Sequence, residues 1–402
     1  MGVFVRDLRG RAVSAVNGAE ITITEATSAK GENFSFSLLE DRLIIAQKSE
    51  LIENAIDAFK GQGSYADKPG VKKTLAQPLS LKNSLVNVYI PSYGEMLKQY
   101  LLNQDQELPV ATLKQLDAIG SVVMGIAAQE QGLHLQAIAQ FNPDSFKSLP
   151  SEVSGDILST FPETTLMVMN GKNLAQGWSV LVEESAQDPE LEDLVRQIRR
   201  GFSQANFDVD REVFGWLDGE FAMGMVTLER GGIANLGLAG IMMLETSDRQ
   251  TGEEALTKLN QLAQSNPNII SNERNIDNIQ VTEWTAGQQG IILSYGWLDN
   301  QKLRLNLGTS WETSDQQKAQ QSLTKQPIFQ TIESLLPKDN LGYFYLDFQQ
   351  LTQQLKTFPG TLVDPDTEAV LNSIQGLGMT ATLPNKSTSQ LDLVLSIQST
   401  DQ

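Results

Sequence analysis

Apolar and polar residues alternate over many short stretches of this chain, and this alternation predicts β-strands. β-Branched and aromatic residues are frequent in the same stretches, as is typical of strands. Short polar connections at residues 38–43 and 297–303 predict hairpin turns. The predicted strands are residues 21–25, 33–38, 43–47, 85–90, 120–128, 133–141, 165–169, 220–228, 233–244, 280–284, 291–295, 303–307, 341–347, 378–383 and 391–397.

Helices are predicted between these strands, because helix start signals precede apolar residues at helical spacing. Ser49 stands before an amphipathic stretch, Asp188 and Asp364 each precede a proline and an acid, and Thr251 opens a capping-box pattern. Strands and helices are interleaved, and many strands are hairpin neighbours. The pattern therefore predicts an α+β fold with antiparallel sheets.

The order of these elements occurs twice along the chain. Ile23 and Val281 lie in similar strands 258 positions apart, and Met124 and Met379 lie in similar strands 255 positions apart. An offset that drifts so little indicates an internal duplication. We therefore expect two diverged copies of one antiparallel-sheet-plus-helices unit.

The first copy is expected to be truncated at its N-terminus. A long stretch precedes the strand of Val281, whereas only about twenty residues precede the strand of Ile23. We therefore expect the natural chain to start further upstream. The predicted domains are a truncated first copy at 1–141, a linker at 142–155 and a complete second copy at 156–402.

A truncated unit leaves sheet edges and an apolar helix bed without cover. Residues 156–260 are the nearest segment that could provide this cover. We therefore expect them to complete the first copy, so that one continuous arrangement forms, and cover by a second copy of the chain is the alternative.

Composition excludes several classes of function. The 402 residues include 49 acids and 30 bases, which gives a net charge of −19. This charge repels nucleic acid phosphates, so no nucleic acid partner is expected. The chain has no cysteine, which excludes disulfides, thiolate catalysis and cysteine zinc sites. No stretch approaches the roughly 18 apolar residues that a membrane helix needs.

His134 is the single histidine of the chain. Strand alternation places it opposite Leu133 and Leu135, so we interpret it as solvent-facing or at a sheet edge. A substitution such as His134→Gln should then leave fold and function unchanged. With His134 set aside, a serine-hydrolase triad and a histidine zinc site are not predicted.

Asp218 and Glu220 are the weak acidic candidates for chemistry, because they follow an apolar helix and open a strand. Paired carboxylates can act as general acid and base, although a simple turn is the better explanation of these two. Other acid clusters stand at predicted helix starts, where they complement the helix dipole. No phosphate loop, dinucleotide fingerprint or calcium loop is present in the sequence, so no cofactor or metal is predicted.

Methionines are concentrated in the predicted strands, where they suit irregular apolar surfaces. Met223, Met225, Trp216, Phe221 and Trp178 form the candidate surface for an apolar ligand or partner. Ordinary core packing is the alternative interpretation of the same residues.

Several runs resemble a cyanobacterial exported protein family of unknown function with an internally duplicated domain. They are residues 213–222, residues 43–46 with 55–58, and the Pro, Leu, Tyr and Asp pattern of residues 337–347. The resemblance implies export to the periplasm or the thylakoid lumen. It also implies membrane association through a missing N-terminal segment, and it implies no catalytic residues.

The sequence thus favours a non-enzymatic exported protein that binds a protein partner or an apolar small molecule near a thylakoid or envelope membrane. A carboxylate-dependent hydrolase and a purely structural spacer are the alternatives. A cytoplasmic location is the alternative to export. The sequence identifies no specific partner, reaction or oligomeric state.

Overall fold

The computed structural model of the chain contains two compact units, Met1–Pro78 and Leu79–Gln402. Antiparallel strands form the main part of each unit. The residues that the structure describes are 5–16, 19–28, 31, 33–40, 42–67, 71–72, 79–103, 110–142, 144, 150–186, 188–228, 231–233, 236–287, 290–312, 321–356 and 365–398.

The N-terminal unit contains a four-stranded antiparallel sheet and an α-helix at Ser49–Phe59. The helix buries Ile52 and Ile56 against sheet residues that include Ile23. These two isoleucines are four positions apart, so they share one helix face. The elements, in sheet order followed by the helix, are β1 Val5–Val16, β2 Ala19–Ser28, β3 Asn33–Leu39, β4 Arg42–Ala46 and α1 Ser49–Phe59.

The C-terminal unit is organised on a 13-stranded antiparallel sheet. Its strands are β5 Ser84–Ile90, β6 Ile119–Gln129, β7 Gly132–Phe141, β8 Thr165–Lys172, β9 Glu220–Thr227, β10 Leu238–Glu245, β11 Ile269–Ile276, β12 Ile279–Ala286, β13 Gly290–Trp297, β14 Lys302–Leu307, β15 Tyr343–Asp347, β16 Ile374–Asn385 and β17 Thr388–Ile397. Their order across the sheet is β11-β12-β13-β14-β10-β9-β8-β15-β16-β17-β7-β6-β5.

The helices of the C-terminal unit connect these strands. They are α2 Tyr93–Leu102, α3 Val110–Ala118, α4 Leu174–Ser185, α5 Pro189–Gln204, α6 Arg249–Gln264, α7 Pro327–Glu333, α8 Phe348–Leu355 and α9 Pro365–Ser373. A π-helical turn spans Val209–Phe214, and short 3₁₀ helices span Asp156–Thr160 and Leu323–Lys325.

Two of the predicted helix starts are confirmed to within one residue. α1 begins at Ser49, and α5 begins at Pro189 after Asp188, whose side chain accepts hydrogen bonds from the first turn. The start predicted at Thr251 is wrong, because α6 begins two residues earlier and Asp248 caps it by accepting from the Thr251 amide. Asp364 lies outside the described residues.

One face of the large sheet is buried. Paired positions along it include Ile241, Val168, Tyr345 and Val394. α7 covers its centre, where the Phe329 ring meets the Tyr345 ring edge-on with centroids 5.2 Å apart. We call this the buried face.

The α+β prediction with antiparallel sheets is confirmed. β1 and β11 are absent from the predicted strands, and β10 begins at Leu238 rather than at residue 233. β1 and β11 lie at sheet edges and carry charged residues, which hide their alternation. Gly237 has φ of 66°, a turn conformation that precedes β10.

The compact units divide between Pro78 and Leu79, whereas the sequence placed a linker at 142–155. β5, β6 and β7 belong to the large sheet, since β7 pairs with β17. Of the predicted linker, residues 143 and 145–149 lie outside the described residues.

The expectation that residues 156–260 complete the first copy is wrong. Their strands β8, β9 and β10 lie between β14 and β15, where they continue the second half of the sheet. The segment β5-α2-α3-β6-β7 has the same element order as β15-α8-α9-β16-β17. The duplication itself stays a prediction.

Candidate functional site

Large apolar side chains line the second face of the large sheet in two parallel rows. In the first row, directly paired positions run from Met242 through Met223 and Met169 to Phe344 and Met379. Directly opposed residues of antiparallel strands share a sheet face, so these side chains form one continuous line. The row continues across β17, β7 and β6 through Leu393, Leu135 and Ile126.

The second row lies two residues away along the same strands. It pairs Met225 with Met167, and continues through Leu346 and Leu377 to Leu395. All of these residues are partly exposed, and Met169 is 41% exposed. We define the methionine face as Met167, Met169, Met223, Met225, Met242, Phe344 and Met379.

Three of the predicted surface residues therefore lie together. Met223 and Met225 belong to the methionine face, and Phe221 precedes them on the same side of β9. Gly171 stands opposite Phe221, and a Cβ atom there would lie 2.8 Å from the Phe221 ring. The glycine thus lets the ring lie across the neighbouring strand.

The two predicted tryptophans are buried. Trp216 packs in the core under α6 and donates its indole hydrogen to the Glu212 carbonyl over 3.0 Å. Trp178 stacks on Phe214 with ring centroids 4.6 Å apart and donates to Asp210 over 2.7 Å. Trp216 shares its cluster with Phe221 and with Met242 of the methionine face, whereas Trp178 lies in another cluster with Val195 and Val209.

Phe344, Leu393 and Leu135 are members of these rows that the sequence analysis did not single out. Each sits in a predicted strand, at a position whose neighbours alternate. The alternation marked one side of each strand, but only the order of the strands in the sheet shows that these sides form continuous rows.

The acidic candidates act within the fold. The Asp218 carboxylate accepts hydrogen bonds from the amide and hydroxyl of Ser247, at 2.8 Å for the amide. Burial acts to raise the pKa of Asp218, but the Ser247 bonds outweigh it and hold that pKa below its usual value. Glu220 is buried and accepts from the amide and hydroxyl of Ser154. Each carboxylate therefore anchors a loop to the start of β9.

His134 is buried, so its interpretation as an exposed residue is wrong. Its alternation with Leu133 and Leu135 is real, but its own side belongs to the buried face. His134 is 7% exposed, and its Nε2 lies 2.9 Å from Oδ1 of Asp392, which is 1% exposed.

Asp392 accepts further hydrogen bonds from β7 and from its own strand β17. Gln136 Nε2 donates to Asp392 Oδ1 over 2.8 Å, and Gln390 Nε2 donates to Oδ2 over 2.7 Å. Gln136 is itself fixed by Ser80, whose amide donates to its Oε1 over 2.7 Å. Satisfied networks of this kind specify strand register. The sequence signal for this network was Asp392, an acid between two leucines in the predicted strand of residues 391–397.

An open cleft of about 590 Å³ lies between α6 and strands β11 to β13. Arg249 covers the Trp297 ring at 4.8 Å from its centroid and donates to Glu253 over 2.7 Å. Burial raises the pKa of the Tyr295 phenol in the same wall. The guanidinium of Arg249 is thus held in the cleft by Glu253 and the Trp297 ring.

No three or more histidine or acidic side chains of the described residues are arranged to hold a metal ion. None of the helices in the described ranges is both long enough and apolar enough to span a membrane.

Comparison with solved structures finds two crystal forms of TP0453. Crystal form III is 9% identical, with a TM-score of 0.31 over 63% of this chain and 83% of that one. Crystal form IV is 10% identical, with a TM-score of 0.29 over 59% and 79%. Similarity at this level supports no argument about function.

Comparison with curated proteins finds no match. One family profile matches residues 9–397, which is nearly the whole chain. This confirms the prediction of a family of unknown function, while a cyanobacterial origin stays a prediction. The chain belongs to the family described as "Protein of unknown function (DUF3352)".

Proposed function

We propose that this protein is a non-enzymatic binding protein whose methionine face receives an apolar surface of a partner protein. The observation that carries the proposal is the unbroken, partly exposed row from Met242 to Met379. Methionine side chains are flexible and polarisable, so a surface rich in them adapts to a partner. Contiguous apolar patches of this kind mark interaction sites.

A protein partner suits this surface better than a small apolar molecule. The rows extend across eight neighbouring strands, from β10 to β6. Small ligands are usually enclosed in concave pockets, whereas protein interfaces use extended surfaces. We extend the proposal to an exported protein in the thylakoid lumen or periplasm, near the membrane.

The hydrolase alternative is less well supported. A general acid or base needs a carboxyl group that reaches a substrate. Asp218 and Glu220 instead accept hydrogen bonds from Ser247 and Ser154. A purely structural spacer would have no use for the methionine face.

The test is affinity capture from detergent extracts of the source organism's membranes. The bait is the wild type, the double variant Met169→Glu with Met223→Glu, or the control Ile270→Glu. Ile270 is exposed on β11, outside the methionine face. We expect the wild type and the control to enrich the same complex. The double variant should enrich this complex at least about 30-fold less, because interface anchors contribute about 2 kcal/mol or more to binding.

Equal enrichment by all three baits would show that binding does not use the methionine face. Hydrolysis of any ester, peptide or glycoside substrate that Asp218→Asn abolishes would instead support the enzyme alternative.

A further inference from the structure

The cleft beside α6 has the size of a site for a small ligand. Its volume of about 590 Å³ lies within the range of roughly 300–1,000 Å³ that is usual for such sites. α6 forms one wall, strands β11 to β13 form the other side, and the turns that follow β11 and β13 complete the lining. Most of the residues that line it are polar. The cleft therefore suits a hydrophilic ligand.

Asn260 offers this cleft two hydrogen-bond donors. Its Oδ1 accepts from the Trp284 indole at 2.8 Å and from the Ser271 hydroxyl at 2.7 Å. An indole N–H can only donate, so these bonds fix which end of the amide is the oxygen. Asn260 lines the cleft, and its Nδ2 has no partner among the described residues. Its two N–H groups are therefore available to acceptor atoms of a ligand.

Carboxylates supply the acceptors of the cleft. Glu253 and Glu273 both line it. One oxygen of Glu253 accepts from Arg249 at 2.7 Å, and one oxygen of Glu273 accepts from Gln280 at 3.1 Å. The second oxygen of each carboxylate has no partner within the described ranges of the chain. It can therefore accept a hydrogen bond from a ligand.

The charges of the cleft disfavour ligands of either sign. Its carboxylates, together with the net charge of −19, repel an anion. The guanidinium of Arg249 covers the Trp297 ring, where it would repel a second cation. A cation would also leave the N–H groups of Asn260 without an acceptor. An uncharged ligand whose groups both donate and accept fits these side chains best.

We propose that the cleft beside α6 binds a short neutral oligosaccharide. A hydroxyl group both donates and accepts, so the hydroxyls of a sugar pair with the N–H groups of Asn260 and with the free oxygens of Glu253 and Glu273. Trp297 is partly exposed and lines the cleft, so part of its ring is available to the C–H groups of a hexose.

This site is separate from the methionine face. Residues of α6 and of β11 to β13 line the cleft, whereas the methionine face lies on β8, β9, β10, β15 and β16. Neither proposal uses a residue of the other, so variants of the two surfaces test them separately and each can fail alone.

The first experiment uses a printed array of neutral, sialylated and amine-bearing oligosaccharides. The full chain is biotinylated and displayed on fluorescent streptavidin, because multivalent display allows weak sites to be detected. We expect retention on neutral glycans. Isothermal titration of the single chain with the neutral glycan that is retained most strongly should give a Kd of about 10 µM to 1 mM.

A matched pair of variants locates the glycan. Thr257 is exposed on α6 and lines the cleft, so Thr257→Arg fills the site and should weaken binding at least about tenfold. Gln250→Arg adds the same charge at an exposed position of α6 outside the lining, where it can pair with Glu254, as Gln250 does now at 3.1 Å. This control should bind like the wild type.

Asn260→Asp tests the hydrogen-bond donors. It keeps an oxygen for Trp284 and Ser271 but replaces both N–H groups with an acceptor. Binding of the neutral glycan should weaken at least about tenfold. Thermal melting of each variant shows that the fold is retained.

Three results would overturn the proposal. The first is that the array retains the chain on no neutral glycan. The second is binding of a neutral glycan that Thr257→Arg or Asn260→Asp leaves unchanged. The third is stronger retention on charged glycans than on neutral ones, because the cleft would then select its ligand by charge.

Discussion

Asp392 is the acceptor on which the buried polar network of β7 and β17 converges. His134, Gln136 and Gln390 all direct a nitrogen toward it. A buried acceptor that loses a donor keeps its desolvation cost without compensation. The network therefore makes each of its members sensitive to substitution.

We expect His134→Leu to lower the free energy of unfolding by about 1–3 kcal/mol, since a donor to buried Asp392 is removed. Urea unfolding followed by circular dichroism measures this loss. Glu130→Gln, an exposed change in the adjoining hairpin turn, is the matched control and should have almost no effect. Equal stability of His134→Leu and wild type would show that the other two donors satisfy Asp392.

The carboxylate of Asp210 predicts a pH dependence. Burial acts to raise its pKa, but hydrogen bonds from Arg199 and Trp178 and the charge of Arg199 outweigh it, so the pKa lies below 3.8. An acid whose pKa is lower in the folded than in the unfolded protein stabilises the fold at pH values above its unfolded-state pKa. This stabilisation is lost as the pH falls through its folded-state pKa.

We therefore expect Asp210→Asn to melt at a lower temperature than wild type at pH 7. The gap should narrow as the pH falls below about 3.8, because Asp210 becomes protonated in the wild type. Because both partners are exposed, the effect should be modest. Thermal melts of both proteins across this range test it, and a constant gap would contradict it.

At the scale of elements, α5 shows how one side chain starts a helix. Asp188 accepts hydrogen bonds from the Glu190 amide at 2.9 Å and the Leu191 amide at 3.2 Å. Pro189 occupies the first turn, where its missing amide hydrogen costs nothing.

Asp188→Ala should lower the free energy of unfolding by about 1 kcal/mol, the usual cost of losing such a cap. Asp188→Asn keeps the accepting oxygen and should recover most of the loss. Chemical unfolding of both variants measures the difference. Equal losses in the two would mean that the charge of Asp188 matters more than its capping bonds.

Periodicity in the sequence predicted most central strands, because each has one buried and one partly exposed side. It did not predict β11, whose eight residues include Asn272, Glu273, Arg274 and Asn275. Pairing with β12 makes this polar segment a strand, and pairing depends on tertiary structure.

The candidate site was predictable only in part. Met223 and Met225 were identified, since their alternation along β9 marks one side of a strand. Trp178 was grouped with them, although it lies in another cluster, because sequence alone does not show which cluster a helix buries. His134 was misread for a similar reason, since alternation separates two sides of a strand without showing which one is covered.

At the scale of the whole molecule, the unit boundary determines which fragments fold. Residues 79–402 retain every strand of the large sheet, whereas residues 156–402 lose β5, β6 and β7. The shorter fragment also leaves Asp392 without His134 and Gln136.

We expect residues 79–402 to be monomeric and to melt cooperatively. Residues 156–402 should melt at least about 5 °C lower, because two buried donors to Asp392 are lost and each is worth about 1–2 kcal/mol. Calorimetry and size-exclusion chromatography compare the two. Equal melting temperatures would support a boundary at 142–155 instead.

The seam between β7 and β17 has the symmetry of a dimer interface inside one chain. Antiparallel strands have a local twofold axis between them, and Gln136 stands directly opposite Asp392. If two β17 strands met in this register, two copies of Asp392 would be buried side by side, and their charges would repel. Gln136 and Asp392 instead match as donor and acceptor. The Gln136–Asp392 pair therefore favours pairing of β7 with β17 of the same molecule and disfavours pairing of the β17 strands of two molecules.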